Sequence, residues 1–548
     1  MLLDFAASTR AFILRVDRGS GQDVPTLMKE HGLDLSEPAS SPGEAVLFTR
    51  DPYCAASFYK YATPNAIGQL YGINKEIEAS FAPESSAHIK TPADKELRAF
   101  QKADIEYALR RRNTLVGDQP GLGKTPIAIC FANEIRAKRV LVICPASIRW
   151  QWVKKIREWT TMPWPYHVHP VIAGRHGVHP TAAWTVVSYE LARSEGIGQA
   201  LARGTYDLLI LDEVHYLKTT DSRRTRAVFG GGHERSFDPL AGRCGAILAL
   251  TGTPLPNRPR EAYTIARALN WDSIDWLSED DFSKRFNPSL RVERLDPRTG
   301  RTSFFIDERT GRHGELQNRL RANFMTRHEK NAVRNQLGMD FYPVYDLIQV
   351  EETGSVKQAL KAESLLDIDP EDLTGADAVI LGHVAEVRRL MGIALAPQVA
   401  DYVEMLLDGG EEKLVLFAWH IEVMNILEQR LGIHGLIRVD GSTGAAKKDR
   451  LIQKFLEEPG VQIALGNLLS MGTGTDGLQH VSCHALIAEP SWTPGENVQC
   501  FDRLDRGGQT RVVQGDIFVA PNSFAERILA SALRKNQTTH KALDRRYS

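Results

Sequence analysis

Two short stretches far apart in the chain carry residues suited to phosphate chemistry. In GDQPGLGKTP (117–126), Gly121 and Gly123, with Leu122 between them, let the backbone curl so that its N–H groups face phosphate oxygens. Lys124 would reach the β- and γ-phosphates of a nucleotide, and the Thr125 hydroxyl would ligate Mg2+. Asp118 stands where the strict phosphate-loop pattern has glycine. In QCFDRLDRGGQ (499–509), Arg503 and Arg506 are three residues apart and share one face of a helical turn. Their distance from the loop in the chain places the two stretches in different domains, with ATP expected between them.

Other residues fit the same site. LILDEVH (209–215) is an apolar strand ending in two carboxylates: Asp212 is placed to hold Mg2+ through water, and Glu213 to orient or deprotonate the attacking water. LTGTP (250–254) ends a strand with Thr251 and Thr253, which could sense a γ-phosphate or hydrogen-bond a nucleic-acid backbone. Gln101, in LRAFQ ahead of the loop, could read the edge of the adenine.

The elements that must position these residues follow from the apolar pattern. TLVGD (114–118), VLVICPAS (140–147), WTVVSYE (184–190), YDLLILDE (206–213) and AILALTGTP (246–254) are continuous apolar runs with helical segments between them. That pattern predicts a buried parallel sheet with crossover helices, and such sheets bind ligands at the C-terminal ends of their strands. A second series, KLVLFAWH (413–420), LIRVDGST (436–443), VQIALGNL (461–468), HALIAEPS (484–491) and VVQGDIFVA (512–520), predicts another. Between them, charged stretches with helical spacing such as 314–337 and 355–366 read as a helical insert. RAFILRVD (10–17) and EAVLFTR (44–50) read as strands and 52–62 as a helix of a separate N-terminal unit. The expected division is an N-terminal accessory unit over 1–93, a first lobe over 94–258, a helical insertion over 259–395 and a second lobe over 396–548.

Composition narrows the setting. With 67 Lys and Arg against 68 Asp and Glu, net charge is −1, so there is no overall basic signature of nucleic-acid binding. A basic groove offset by acidic outer surfaces is compatible with that balance. The six cysteines are scattered, with no CxxC pair, as in a reducing compartment. The N-terminus lacks a signal peptide's basic start and apolar core, and no run approaches the ~18 apolar residues of a spanning helix. The expectation is a protein without a membrane role, cytoplasmic in a bacterium or phage-infected host, or nuclear in a eukaryote.

The ordered set LRAFQ, DQPGLGKT, CPAS (144–147), SYEL (188–191), DEVH, TGTPLPNRP and QCFDRLDRGGQ resembles superfamily-two helicase-like ATPases. Within these the chain is similar to the Swi/Snf family of DNA translocases over about 95–535, and 251–264 and 324–337 are similar to the single-chain annealing-helicase branch. The absence of accessory modules leans toward a compact bacterial or phage type. The resemblance implies an α/β fold of two tandem RecA-like lobes with helical insertions and a small α+β N-terminal domain. It implies ATP and Mg2+ as cofactors and double-stranded DNA, forked or branched forms included, as partner.

By the same resemblance Arg503 and Arg506 close on the γ-phosphate as arginine fingers, a contribution on the order of 10³-fold or more in rate. Gln499, Asp502 and Gln509 match the family signature, with Gln509 and Gly474 placed on the cofactor side. Candidates for gripping DNA phosphates are Pro145, Ser147, Ser188 and Thr253 in the first lobe and Ser442, Thr443, Ser470 and also Gly474 in the second. Asp505 replaces the family's usual His, and Gln119 its usual acidic residue after Asp118. Neither change removes a catalytic atom; both bear on coupling.

KTTDSRRTRAV (218–228) suits DNA-backbone contact or a solvated helix face. His167, His169, His176 and His179 read as a solvent-exposed loop rather than a metal site. The leading expectation is a DNA-stimulated ATPase that tracks along duplex DNA. The alternatives are a strand-separating DNA or RNA helicase, and an ATP-gated nucleic-acid clamp with slow turnover.

Overall fold

The computed structural model describes residues 1–31, 33–36, 39–163, 167–174, 177–231, 238–252, 259–295, 302–308, 312–339, 342–365, 378–471, 475–491, 494–523, 525, 526 and 529. The N-terminal unit is an antiparallel sheet of β1 (Leu2–Ala6), β2 (Ala11–Asp17), β3 (Asp34–Leu35) and β4 (Glu44–Thr49) in the order β1-β2-β4-β3. Alternation puts Phe12, Leu14 and Val16 of β2 into its core, against helix Pro64–Ala79. The expected helix over 52–62 divides into Pro52–Ala56 and a 3-10 turn, Tyr59–Tyr61.

The first lobe is built on seven parallel strands: β5 (Asn113–Val116), β6 (Val140–Cys144), β7 (Val168–Pro170), β8 (Trp184–Ser188), β9 (Tyr206–Asp212), β10 (Cys244–Leu250) and, much later in the chain, β13 (Met325–Thr326). Their order is β13-β5-β10-β9-β6-β8-β7. Two apolar cores cover its faces, which is why the central strands are continuous apolar runs. Register places the strand ends in one row: Thr326 pairs with Val116, Val116 with Leu250, Leu250 with Asp212, Leu211 with Ile143 and Cys144 with Ser188. The segments following these residues therefore emerge along one edge.

The region expected to be a helical insertion over 259–395 divides between the lobes instead. Between β10 and β13 lie β11 (Ser289–Leu295) and β12 (Thr302–Glu308), an antiparallel hairpin where helical spacing was expected. Helix His313–Asn323 leads into β13, which hydrogen-bonds β5 as an edge strand of the first sheet. β14 (Val344–Gln349) then pairs with β19 (Gln514–Val519) in the second sheet. That sheet also contains β15 (Leu414–Ala418), β16 (Leu436–Val439), β17 (Ile463–Asn467) and β18 (His484–Ile487), all parallel, in the order β14-β19-β18-β15-β17-β16. The boundary expected at 395 falls inside one helix, Ala378–Asp408. Its residues Gly382–Asp408 are long and apolar enough to cross a membrane by length and composition. Val384, Met391, Leu395, Val399 and Val403 of this helix are buried, in or beside the core shared with β15 and β17, so core packing accounts for that run.

The N-terminal unit is fastened to the first lobe by charge. Asp34 meets Arg285 at 3.0 Å and Arg312 at 2.9 Å, while Glu315, 3% exposed, meets Arg285 at 2.9 Å and Arg319 at 2.7 Å. Buried carboxylates tolerate desolvation only when paired in this way.

Candidate functional site

The phosphate loop leaves β5 as residues 117–123. Its root is tied to the strand beside it: Gly117 N–H donates to Thr326 O at 2.8 Å and Gln119 N–H to His328 O at 3.1 Å. Gly121 (φ +86°) and Gly123 (φ +81°) occupy the left-handed region, where a Cβ at Gly123 would meet Gln101 Nε2 at 2.5 Å. Helix Lys124–Glu134 starts immediately after, with no side chain capping its N-terminus. Its first N–H groups are thus free for an anion, and Thr125 lies in its first turn. Lys124 Nζ donates to the carbonyls of Asp118 at 2.7 Å and Gln119 at 3.3 Å, within its own loop. Burial holds this amine below its usual pKa against the opposing pull of Glu213, Asp118 and Asp212. The residues present fit a nucleotide's phosphates.

Gln101 sits elsewhere in the scheme than expected. Its Nε2 donates to Leu122 O at 2.9 Å and its Oε1 accepts the Arg98 N–H at 2.9 Å, so it braces the loop from behind. The glutamine is 3% exposed.

Beneath the loop Asp118, Asp104 and His328 form the one group of metal-type side chains that converges among the described residues. Both ring nitrogens face acceptors: Nε2 lies 2.9 Å from Ala82 O, and Nδ1 lies 3.1 Å from Asp118 Oδ1 and 3.3 Å from Asp104 Oδ1. That arrangement suits an imidazolium. Desolvation alone would lower the His328 pKa, but the two carboxylates raise it well above its usual value. Burial and the neighbouring Asp118 charge push Asp104 up to about 7. The cluster is therefore a buried ion pair of His328 with Asp118, beside an Asp104 carboxyl that burial keeps readily protonated.

Asp212 and Glu213 end β9 in front of the loop. Asp212 accepts from Trp152 Nε1 at 2.7 Å and from the Glu213 N–H at 3.0 Å, and its carbonyl accepts from Tyr189 Oη at 2.8 Å. Glu213 has φ +52°, a left-handed backbone that turns its carboxylate away from the strand direction. Its Oε2 lies 3.2 Å from both Thr251 Oγ1 and His215 Nδ1, and His215 Nδ1 lies 3.0 Å from that hydroxyl. Burial and Glu213 raise the Asp212 pKa. Glu213 goes the other way: burial opposes ionisation, but His215, Lys124 and Arg503 outweigh it and hold the carboxyl well below the usual range. Two adjacent acids are thus split into one readily protonated and one persistently ionised group.

Arg503 and Arg506 follow helix Pro494–Phe501 of the second lobe and face this site. Gly121 is one place where the two lobes touch: a Cβ there would meet Arg506 Cβ at 2.9 Å and Asp505 O at 3.3 Å. Arg503 Nη1 and Arg506 Nη1 each donate to Thr475 O at 3.3 Å, so both guanidinium groups rest on their own lobe. Burial and the adjacent Arg506 charge bring Arg503 down to about 10, a measure of two cations crowded at one cleft. Gln509 does not reach the cleft. Its Nε2 donates to Ser482 O at 2.9 Å and its Oε1 accepts the N–H groups of Thr510 and Arg511, bracing the arginine turn instead.

The candidate nucleic-acid residues divide. Ser147 is exposed beyond β6, with Pro145 buried before it. Ser188 is 2% exposed and caps helix Tyr189–Ala192 through the Leu191 N–H at 3.3 Å. Ser442 and Thr443 form a turn on Asp440, with Ser442 Oγ 2.6 Å from its carboxylate. Ser470 Oγ lies 3.9 Å from the position of a Cβ on Gly441, which brings the two second-lobe loops together. Thr253 and Gly474 lie outside the described residues, as does His176. Arg224 stacks on Tyr216 with its guanidinium 5.3 Å from the ring centroid, beside the acidic pair's turn, while Lys218 is paired with Glu261 at 2.9 Å. The His167, His169 and His179 rings lie 4.4–5.9 Å apart, with His167 exposed.

Trp152, Tyr189 and His215 position the acidic pair, and none was singled out from sequence. Trp152 lies on helix Arg149–Trp159, and no local signal marks its indole N–H as a partner for a carboxylate sixty residues on.

Residues 100–341 match the model of the SNF2-related domain. The chain is 27% identical over 464 residues to the Bos taurus protein named DNA annealing helicase and endonuclease ZRANB3, covering 82% of this chain and 41% of that protein. It is 27% identical over 433 residues to the Xenopus tropicalis SWI/SNF-related matrix-associated actin-dependent regulator of chromatin subfamily A-like protein 1, covering 77% and 42%. The chain thus spans about two fifths of the length of these relatives. Among solved structures, the Sulfolobus solfataricus SWI2/SNF2 ATPase core in complex with dsDNA matches at 17% identity and a TM-score of 0.38, covering 85% of this chain and 100% of that one.

Proposed function

We propose, from the premise that this chain belongs to the Swi/Snf family of helicase-like ATPases through its SNF2-related domain at 100–341, that it is an ATP-driven translocase on double-stranded DNA. The observation that carries the reading is the meeting of Gly121 with Arg506: the phosphate loop of one sheet and the arginines of the other form a single site. Opening and closing that contact would move one lobe against the other. The names of the relatives, a DNA annealing helicase and endonuclease and a SWI/SNF-related regulator of chromatin, point the same way.

Bound there, ATP with Mg2+ would supply the phosphoryl group to be transferred and the cation that offsets its charge. Lys124 must give up the Asp118 and Gln119 carbonyls to donate to phosphate oxygens. Thr125 and Asp212 are the residues suited to hold the cation, with Trp152 fixing the Asp212 carboxylate. Glu213 stays ionised near neutral pH and takes the proton of the attacking water on Oε2, where Thr251 and His215 hold it. Arg503 and Arg506 release Thr475 O and turn toward the phosphates, spreading positive charge over the leaving oxygens. The exposed Ser147 and Ser442, with the half-buried Thr443 and Ser470, suit contacts to phosphates that ignore base identity.

The test is ATPase rate measured with blunt duplex, forked duplex, single-stranded DNA and RNA side by side. Stimulation by the two duplexes is expected. Stimulation by RNA alone, or by none of the four, would overturn the reading.

A further inference from the structure

The two positions where this chain departs from the family pattern, Gln119 and Asp505, lie in different lobes and meet on one residue, Lys330, the first through its backbone and the second through its side chain. The Lys330 N–H donates to Gln119 Oε1 at 2.8 Å, tying it to the phosphate loop. Its Nζ crosses the cleft to Asp502 Oδ1, to Asp505 O and, at 3.1 Å, to Asp505 Oδ2. One helical turn on, Arg334 reaches the Asp505 carboxylate at 3.3–3.4 Å through both of its terminal nitrogens. Lys330, Arg334, Asp502 and Asp505 have side chains 4–7% exposed, so these are desolvated pairs rather than surface ones.

Their place in the chain gives this geometry its consequence. Asp502 immediately precedes Arg503 and Asp505 immediately precedes Arg506, so whatever holds the two carboxylates sets the turn that carries both arginines. Asp502 Oδ2 is buried without a hydrogen-bond partner among the described residues, which leaves that carboxylate dependent on Lys330. A charge pair buried across a cleft is strongly unfavourable to break one side at a time.

We propose that Lys330, seconded by Arg334, is a positioning residue for hydrolysis: a strut from Gln119 of the phosphate loop to Asp502 and Asp505, which places Arg503 and Arg506 over the bound nucleotide. This rests on the ATPase reading above. The strut acts on lobe closure and arginine placement, so it governs turnover rather than nucleotide affinity, which Lys124 and the loop N–H groups provide. A histidine at 505, the family's usual residue, would face Lys330 and Arg334 without the carboxylate that both of them grip.

The experiment compares the full chain with Lys330→Met, Lys330→Arg and the double variant Lys330→Met/Asp505→Asn. It measures kcat and KM for ATP with and without duplex DNA, the Kd of a fluorescent ATP analogue, and the melting curve. Lys330→Met is expected to lower kcat about tenfold or more with the analogue's Kd within about threefold, the pattern of an interaction made only in the closed, reacting state. Lys330→Arg should regain most of the lost turnover. The double variant, relieved of one stranded carboxylate, should melt closer to the parent and remain slow. The proposal fails if Lys330→Met turns over like the parent, or if the double variant regains turnover together with stability, which would make Lys330 a folding residue only. A parent chain whose ATPase ignores DNA would refute the translocase reading alone, because the strut is still measured on basal turnover.

Discussion

Trp152→Phe removes one hydrogen bond from the candidate cation site and little else. The indole is 2% exposed, and its Nε1 donates to Asp212 Oδ2 at 2.7 Å. A phenyl ring keeps an apolar side chain in the core that includes Val142 and Ile210 but offers the carboxylate no proton. Hydrogen bonds to ionised groups contribute about 1.5–3 kcal/mol, and ~1.4 kcal/mol is tenfold in an equilibrium constant. The Mg2+ concentration needed for half-maximal ATPase should therefore rise roughly 10- to 100-fold, the range typical of residues that orient a metal's ligands. The pH dependence should shift too. Burial and Glu213 already raise the Asp212 pKa, while Trp152 and Lys124 oppose them. Without the indole the carboxyl rises further, so the acid limb of activity moves to higher pH. The assay is a Mg2+ titration of ATPase at fixed ATP, repeated across pH 5.5–8, with a melting curve to confirm folding. An unchanged Mg2+ midpoint and acid limb in a folded variant would refute the assignment of Asp212 as the cation's residue.

Glu213→Gln should bind a fluorescent ATP analogue within about threefold of the parent and lose turnover by a factor on the order of 10² or more, since the acceptor for the water's proton is gone. Equal turnover would remove Glu213 from that role. Asp104→Asn tests the buried cluster beneath the phosphate loop. Asp104 is raised to about 7 in the folded protein, so between its unfolded value near 4 and pH 7 the native state keeps a proton that the unfolded chain has released. Stability must then fall as pH rises through that window, by up to about 1.4 kcal/mol per unit for this one group. The raised His328 pKa extends the same sign above its unfolded value of about 6.5. Asn at 104 should flatten the decline between pH 4 and 7, read as melting temperature against pH, whereas parallel curves for the two proteins would exclude a retained proton on Asp104.

What could be read from the chain alone was whatever local chemistry dictates. The apolar runs of β6, β9, β15 and β17 are continuous because both faces of a parallel sheet are covered, and that signal needs no knowledge of partners. The phosphate loop is equally local, since Gly121 and Gly123 take positive φ and a helix follows at Lys124. The two carboxylates at the end of β9, and the arginines three apart in a turn, were legible for the same reason. Legibility stopped where a residue's role depends on a distant partner. Gln101 and Gln509 are the right residue types for reading a ligand, but each has its amide engaged within its own lobe. β13 has two residues and β14 an exposed pattern, so neither announces a strand, and only pairing with β5 and β19 assigns 325–326 to one sheet and 344–349 to the other.

The sequence by itself determined that a nucleotide site made from two α/β lobes exists, because strand, loop and helix signals act over a few residues. Only the tertiary structure decided how that site is held: by Trp152 on Asp212, by His328 under Asp118, and by Lys330 between Gln119 and Asp505. Each of these joins residues far apart in the chain, and burial makes such pairs strong only once the sheets have brought them into contact and excluded water.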